Sequence, residues 1–215
     1  MPDPKTSAQV GKLADGAYLA VLNDILSCTL PGGSVIQERK LALALGISRS
    51  PMRDALNRLE GEGLLVRLND RLLAVRVITL EDYLHSLDVR ALIEPQAAAL
   101  ATAKVEDNEI GRLEAALVEI ETTGEPTPEQ HWAFDDLLHD TLAQRSGNPF
   151  LAKTIGEMRR YTKIFERQTV PTRVNPGADD HRRLIAALVA RQADEVKSAM
   201  AQHIRNVRKR TLAGF

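Results

Sequence analysis

The sequence predicts a mainly α-helical protein in two parts, a smaller part over residues 1–77 and an all-helical bundle of six or seven helices over residues 78–215. Aromatic residues make up only 4% of the chain while alanine and leucine abound, which favours helices over strands. The short β-branched segments that predict strands lie before residue 78, and helical spacing of apolar residues dominates after it.

The first predicted element is a helix from about Leu13 to Ser27, after a polar segment (residues 1–12) that we expect to fray. Its apolar side chains recur at helical spacing, at Leu13, Ala17, Ala20, Val21 and Ile25. The breaking residues Pro31-Gly32-Gly33 end this segment.

Two short helices joined by a turn at Gly46-Ile47 are predicted within residues 36–66. Ser48 or Ser50 can cap the second helix, whose first turn tolerates Pro51 because an N–H there has no intrahelical partner to lose. The buried stripe of this helix recurs at i, i+3, i+4 and i+7, at Met52, Ala55, Leu56 and Leu59.

Arg49 and Arg53 lie at the N-terminal end of the second helix, off its apolar stripe. In a helix-turn-helix this end faces base edges in the major groove, and a guanidinium group can bridge O6 and N7 of guanine. The two helices alone fit an ordinary helical hairpin with a solvated basic face equally well.

Residues 66–69 and 72–77 predict a small β-hairpin, with Asn69, Asp70 and Arg71 at its turn. The segment 79–82 then has the pattern of a helix start, with Asp82 at the capping-box position. We therefore place the boundary between the two parts at Val77–Thr79.

The second part is predicted to be helical throughout, with Pro95 restarting the chain as a new helix. Glycine- and proline-rich breaks at 124–126, 146–148 and 170–177 separate the later helices. The predicted helices are Leu80–Ile93, Gln96–Lys104, Asp107–Thr122, Pro128–Arg145, Pro149–Gln168, Asp179–Arg191 and Ala193–Leu212.

Three histidines and an aspartate in this bundle could converge. Asp135 and His139 are four residues apart on one helix and so share a face, while His181 and His203 lie on the last two helices. This set suits a divalent transition metal. From spacing alone, half-buried polar side chains are the commoner explanation of such a set. We expect His85 and His131, which have no such partnering, to be surface or packing residues.

Composition sets broad limits on the class of protein. The formal net charge is -1, and residues 1–77 carry 10 Lys and Arg against 8 Asp and Glu, a small excess of positive charge that agrees with a DNA-facing part. A single cysteine, Cys28, fits a reducing compartment. Without a signal peptide or a membrane-length apolar run, we expect a cytoplasmic protein with no membrane partner.

The segment ERKLALALGISRSPMRDALNRLEGEGLL (residues 38–65) resembles the winged helix-turn-helix of the GntR family of bacterial transcription regulators, a likeness that extends from about Ala17 to Val77. The resemblance implies contacts to operator DNA from Arg39, Arg49 and Arg53, with Ser48 and Ser50 beside them. The family's wing turn is usually Asn-Arg-Gly and its tip enters the minor groove. Here the glycine is missing, so Arg71 is the least secure DNA contact.

The segments DVRALIEP, FDDLLHDTLA, DDHRRLIAAL and AMAQHI resemble the FCD domain, the helical effector-binding half of the FadR subfamily. Metal-binding members use an aspartate, a histidine four residues on, and two histidines on the last two helices. The resemblance therefore implies Asp135, His139, His181 and His203 as ligands of a divalent transition metal, zinc first, with nickel or manganese as alternatives. Small carboxylates are the effectors in this branch.

Arg90 on the first helix of the bundle could pair with such a carboxylate in bidentate fashion, or form an ion pair with Glu94 four residues on. We thus expect a homodimeric repressor, not an enzyme, that binds double-stranded DNA at an inverted repeat and responds to a small carboxylate. A metal-dependent hydrolase and a DNA-binding protein without an effector are the alternatives.

Overall fold

The computed structural model describes residues 4–70, 72–169 and 177–214, and in these ranges it contains nine helices and one two-stranded sheet. The predicted fold class is therefore confirmed. The elements in chain order are α1 (Pro4–Leu26), α2 (Glu38–Ala44), α3 (Arg49–Gly61), β1 (Leu65–Asn69), β2 (Leu72–Val75), α4 (Leu80–Ala101), α5 (Asp107–Thr122), α6 (Pro128–Arg145), α7 (Pro149–Thr169), α8 (Ala178–Val189) and α9 (Ala193–Leu212).

The chain divides into two compact units, Met1–Thr79 and Leu80–Phe215. In the first unit α1 packs along α3, and α2 packs on α3 through the turn at Gly46. Gly46 has a φ of 65°, a left-handed conformation that glycine adopts without a steric cost. The core of this unit contains the predicted apolar stripe of α3, including Met52 and Leu59, and Ala17, Val21 and Ile25 of α1. Leu13, also predicted for the α1 stripe, is 42% exposed.

The first helix is longer than expected, because α1 begins at Pro4 rather than near Leu13. Proline suits the first position of a helix, since its missing N–H would have no intrahelical partner there. Between Pro4 and Leu13 the chain has no further proline to interrupt the hydrogen-bond ladder. The predicted start near Leu13 was therefore wrong by nine residues.

The predicted hairpin is present as the antiparallel pair β1 and β2, in register from Leu65 opposite Val75 to Asn69 opposite Leu72, with an irregularity between Arg67 and Asn69. The turn closes without glycine because the Asn69 side-chain Oδ1 accepts a hydrogen bond from the Leu72 N–H at 3.0 Å. Arg71 lies outside the described residues.

The second unit is built around α4, which packs against α9, α7 and α6. This helix is continuous through Pro95, so the predicted restart at that residue was wrong. A proline inside a helix costs about 3 kcal/mol or more. Buried side chains on both sides of it, from Tyr83 and Leu87 to Ala97, Ala98 and Ala101, anchor both halves of α4 in the core.

The other helices of this unit agree closely with the sequence, and α5, α6 and α9 have the predicted bounds. The predicted break at 170–177 falls almost entirely outside the described residues. None of the described helices is long and apolar enough to cross a membrane.

Candidate metal centre and DNA interface

Three helices of the second unit bring the predicted metal ligands together. Helix α6 carries Asp135 and His139, α8 carries His181 and α9 carries His203. One ligand atom from each of Asp135, His139 and His203 lies within 4.8 Å of the other two. Residues that are 68 positions apart in the chain, Asp135 and His203, thus share one site.

The ring nitrogens face one another at short distances. His139 Nε2 is 3.3 Å from His203 Nε2 and 3.5 Å from Asp135 Oδ1. His181 lies at the edge of this group, with its Nε2 3.8 Å from Asp135 Oδ1 and its ring centroid 4.7 Å from that of His203. All four predicted ligands are therefore neighbours.

The three imidazoles are buried, each with 2% or less of its surface exposed. His181 Nε2 has no hydrogen-bond partner among the described residues, although it points to the Asp135 carboxylate at a distance too long for a hydrogen bond. A buried polar nitrogen without a partner is costly. The donor set of one carboxylate oxygen and several imidazole nitrogens fits a divalent transition metal.

Glu94 on α4 is a member of this site that the sequence did not reveal. Its Oε2 is 2.5 Å from His139 Nδ1, and its Oε1 accepts a hydrogen bond from Arg90 Nε at 2.5 Å. A carboxylate that accepts the Nδ1–H of a histidine leaves Nε2 facing the metal position and raises the basicity of the ring. The contact with His139 joins residues 45 apart, for which the sequence gives no local signal.

Arg90 is held by two partners within the described structure. Besides Glu94, it donates from Nη1 to Thr162 Oγ1 at 3.1 Å, and its side chain is buried. This is the ion pair that the sequence offered as the alternative to effector binding. Arg90 also lines a small cavity beside the histidines, together with Asp135, Thr162, Lys163, Glu166 and His203.

A second residue missed by the sequence is Arg159 on α7. Its Nη2 donates to Asp135 Oδ2 at 3.0 Å and to Asp136 Oδ1 at 2.7 Å, and the side chain is buried. It therefore holds one oxygen of Asp135 while the other oxygen, Oδ1, faces His139 and His181. Burial lowers the pKa of Arg159, but Asp135 and Glu94 outweigh it and raise that pKa above its usual value.

Burial and neighbouring charges set the pKa values of the two acids and of two of the three rings. Burial raises the pKa of both Glu94 and Asp135, but the neighbouring positive charges, Arg90 for the first and Arg159 for the second, outweigh it and lower both pKa values. Burial lowers the pKa of His181 to about 4, and it also holds the pKa of His203 well below its usual range. Both rings are thus neutral at pH 7, the form that binds a metal.

His139 differs from the other two rings. Burial lowers its pKa, but the charge of Glu94 and then that of Asp135 outweigh burial and raise it above the usual value. An ion that binds at Nε2 would take the place of a proton there. The remaining histidines follow the sequence expectation, because His85 is exposed and His131 is a buried packing residue.

The candidate DNA interface lies at the N-terminal end of α3 in the first unit. Arg49 and Arg53 are exposed there, with 65% and 57% of their side-chain surfaces accessible, and both bind Glu38 on α2. Ser48 is the N-cap residue of α3 but makes no side-chain capping bond, and Ser50 and Arg39 are exposed. The predicted DNA-contacting residues of the described part, Arg39, Ser48, Arg49, Ser50 and Arg53, therefore all offer their side chains to solvent.

Two known families match the two units. Residues 13–72 match the bacterial regulatory proteins of the gntR family, and residues 85–206 match the FCD domain. The first match lies within the first folded unit and the second match within the second unit, and each agrees with the family resemblance of that part of the sequence.

Relatives with assigned names are transcription regulators. The Nta operon transcriptional regulator of Aminobacter aminovorans is 31% identical over 175 residues, covering 80% of this chain and 81% of that protein. The HTH-type transcriptional regulator LutR of Bacillus subtilis (strain 168) is 29% identical over 213 residues, covering 86% of this chain and 94% of that one. The HTH-type transcriptional repressor RspR of Escherichia coli (strain K12) is 24% identical over 197 residues, covering 88% and 85%.

Solved structures agree in fold. McbR/YncC of E. coli has a TM-score of 0.77 at 20% identity, with 94% of this chain and 95% of that chain covered. A GntR regulator from Rhodococcus sp. RHA1 has a TM-score of 0.75 at 16% identity, with 94% and 98% covered. At these identities the likeness establishes the fold alone.

Proposed function

The chain belongs to the GntR family of bacterial transcription regulators and carries an FCD domain, and we propose that it is a repressor whose operator binding responds to a small carboxylate at a metal site in that domain. The matched domains and relatives are those of regulators, not enzymes. The metal-dependent hydrolase considered from the sequence is therefore set aside. The name of the relative RspR, a repressor, supports the proposed sign of regulation.

The observation that carries the proposal is the convergence of Asp135, His139 and His203, with His181 at their edge, in the buried interior of the FCD domain. These four residues would hold the ion. Zinc accepts this mixture of nitrogen and oxygen ligands, and imidazole also suits nickel, while manganese favours the carboxylate. When bound, the metal would act as a Lewis acid that attracts a carboxylate oxygen of the effector.

The cavity beside His203 is the space next to the candidate ligands that an effector could enter. Its lining residues include two cations, Arg90 and Lys163, and three acids, Asp135, Asp136 and Glu166. Both cations are paired with acids, Arg90 with Glu94 and Lys163 with Asp136, so the attraction for a carboxylate would come from the bound metal. The cavity is comparable in size to a single water molecule. An effector would therefore have to displace lining side chains, and this movement is the physical step by which binding can change the domain.

DNA binding rests on the first unit. We assign base contacts to Arg49 and Arg53, phosphate contacts to Arg39, Ser48 and Ser50, and a lesser wing contact to Arg71. A single recognition helix reads only a few base pairs, so two copies of the chain on an inverted repeat would supply the affinity and the specificity. The working form in this proposal is a homodimer.

The test begins with protein purified gently from its native cells, from which released metals and small molecules are identified by mass spectrometry. Operator binding is then measured with and without the released acid, on the wild type, on His181→Ala and His203→Ala, and on His85→Ala as a control outside the site. We expect the acid to change operator affinity by about 5- to 150-fold, the range of a typical coupling free energy.

The two ligand variants should lose metal and the response to the acid together while they still bind the operator, and His85→Ala should keep both. Asp135→Asn offers a gentler change, because it keeps the shape of the side chain and removes its charge. An undiminished response in variants that contain no metal would refute the proposed role of the ion.

A further inference from the structure

The two arginines to which we assign base contacts share one acceptor, Glu38, the first residue of α2. Its Oε1 accepts hydrogen bonds from Arg49 Nε at 2.9 Å and from Arg53 Nη2 at 3.0 Å, and its Oε2 accepts one from Arg53 Nε at 3.3 Å. A single carboxylate thus joins the start of α2 to two successive turns of α3.

This arrangement fixes side chains that are otherwise free to move. Arg49 and Arg53 are more than half exposed, whereas the Glu38 side chain is only 24% exposed and therefore offers a partly buried anchor. Hydrogen bonding from Arg53 lowers the pKa of the Glu38 carboxyl below its usual value, so the anchor is charged at neutral pH. Hydrogen bonds between charged groups are about twice as strong as neutral ones.

Each guanidinium group binds Glu38 through some of its N–H groups and keeps others for a guanine. Arg53 uses Nε and Nη2 towards Glu38, so its other edge, between Nη1 and Nη2, carries a second pair of N–H groups. Arg49 uses only Nε, so both of its terminal amino groups keep their N–H groups for another acceptor. Each guanidinium can then bridge O6 and N7 of a guanine while it stays on Glu38.

We propose that Glu38 is a positioning residue that sets the base specificity of this regulator by holding Arg49 and Arg53 in the orientation that reads guanine. The inference rests on the proposed base contacts of the two arginines. Without the anchor, each flexible side chain can turn to the nearest phosphate instead, which gives affinity without sequence information.

The positioning role and a purely electrostatic role predict opposite changes. Glu38 is a negative charge close to the surface that meets DNA, so as a charge alone it repels every duplex equally. Its removal would then strengthen binding to all sequences. As a positioning residue, its removal instead weakens operator binding while binding to other DNA stays the same or strengthens.

The experiment uses the full-length protein and a duplex selected by the wild type from a random DNA library. Fluorescence anisotropy measures affinity for this duplex and for a scrambled one, at several salt concentrations, for wild type, Glu38→Gln and Glu38→Ala. Asp54→Asn is the matched control, because Asp54 is an exposed acid next to Arg53 that acts on it through charge and not through a hydrogen bond.

We expect both Glu38 variants to reduce the ratio of operator to scrambled affinity by at least about fivefold, the smaller effect of losing one bidentate base contact. The salt dependence of scrambled-duplex binding should steepen as the arginines move to phosphates. Asp54→Asn should shift both affinities together and leave the ratio unchanged. In an Arg53→Ala background, Glu38→Ala should cost less than it does alone.

Glu38 variants that behave like Asp54→Asn, with both affinities raised and the ratio intact, would overturn the positioning role and leave the proposed function standing. A wild type that selects no preferred sequence would overturn the base contacts themselves, and the positioning role with them. Circular dichroism of each variant checks the fold, which Glu38→Gln is expected to preserve because it keeps the size and shape of the side chain.

Discussion

At the scale of single residues, the DNA interface depends on side chains with different roles. Arg49→Ala and Arg53→Ala should each weaken operator binding by about 1–3 kcal/mol and relax the sequence preference, because each would remove a proposed bidentate base contact. Arg39→Ala should weaken binding to every sequence alike and flatten the salt dependence. Affinity for operator and scrambled duplexes across a salt series separates these outcomes, and equal effects on both duplexes for Arg53→Ala would contradict the assignment.

The proposed metal centre depends at this scale on Glu94, which does not belong to the predicted ligand set. Glu94→Gln removes the charge that orients His139 and raises its basicity, so the affinity for zinc should fall by about 10- to 100-fold. A competition titration with a chromophoric chelator measures it.

Asp88→Asn, on the same helix but exposed and paired with Arg208, is the control and should leave zinc affinity unchanged. Because Arg90 also loses its charged partner, the free energy of unfolding of Glu94→Gln is measured in parallel. Wild-type zinc affinity in a folded Glu94→Gln variant would exclude the orienting role.

At the scale of elements, α6 carries two of the ligands and is held at its start by a capping box. Thr127 Oγ1 accepts the Gln130 N–H at 3.3 Å, and Gln130 Oε1 accepts the Thr127 N–H at 2.8 Å. Thr127→Ala should lower the free energy of unfolding by about 0.5–2 kcal/mol. Zinc affinity should not change, because Asp135 lies two turns further along the helix.

Chemical denaturation and the zinc titration check both parts of this prediction. Thr123→Ala provides a comparison, since its hydroxyl bonds only to the Glu119 carbonyl near the end of α5. A change of that kind on the surface is usually within about 0.5 kcal/mol. A loss of zinc affinity in Thr127→Ala would mean that the cap, and not only the helix body, positions the ligands.

The wing hairpin and α4 both form although their sequences depart from local preferences, the hairpin from the preference for a turn glycine and α4 from the avoidance of proline inside a helix. The hairpin lacks the family's glycine, yet the Asn69 side chain closes its turn. Helix α4 contains Pro95, yet its packing against α9, α7 and α6 keeps it continuous. In both cases side-chain contacts made in the folded chain replaced a backbone preference.

At the scale of the whole molecule, a metal bound by α6, α8 and α9 should stabilise the FCD domain selectively. Zinc at about 100 times its dissociation constant should add about 2.7 kcal/mol to the stability of the unit that binds it. Thermal unfolding with zinc and with chelator should therefore shift the transition of residues 80–215. His203→Ala should abolish the shift and His85→Ala should keep it, whereas an equal shift in both would place zinc elsewhere.

The oligomeric state gives a second test at this scale. We expect a dimer in light scattering and a footprint with two-fold symmetry, whose half-sites are centred about 10 base pairs or one further helical turn apart. The protein's two-fold axis would then coincide with that of the operator. A monomer in solution that protects one asymmetric half-site would contradict this expectation.

The sequence by itself determined the elements whose causes are local. The apolar stripe of α3 and the positions of α5, α6 and α9 follow from helical spacing, caps and breakers, which act over four or fewer residues. The same local rule put Asp135 and His139 on one face of α6. That these residues and His203 meet also agrees with the family resemblance, while the identity of the ion stays a prediction.

Only the tertiary structure decided which side chains support those residues. Glu94 reaches His139 across 45 positions, Arg159 reaches Asp135 across 24, and Glu38 joins two arginines on another helix. Sequence periodicity assigns each of these residues to a face of its own helix, but the meeting of two faces depends on how the helices cross. The candidate ligands and the candidate base-reading arginines could thus be named from local pattern together with the family resemblance. The groups that hold and charge-balance them came from the packing between helices.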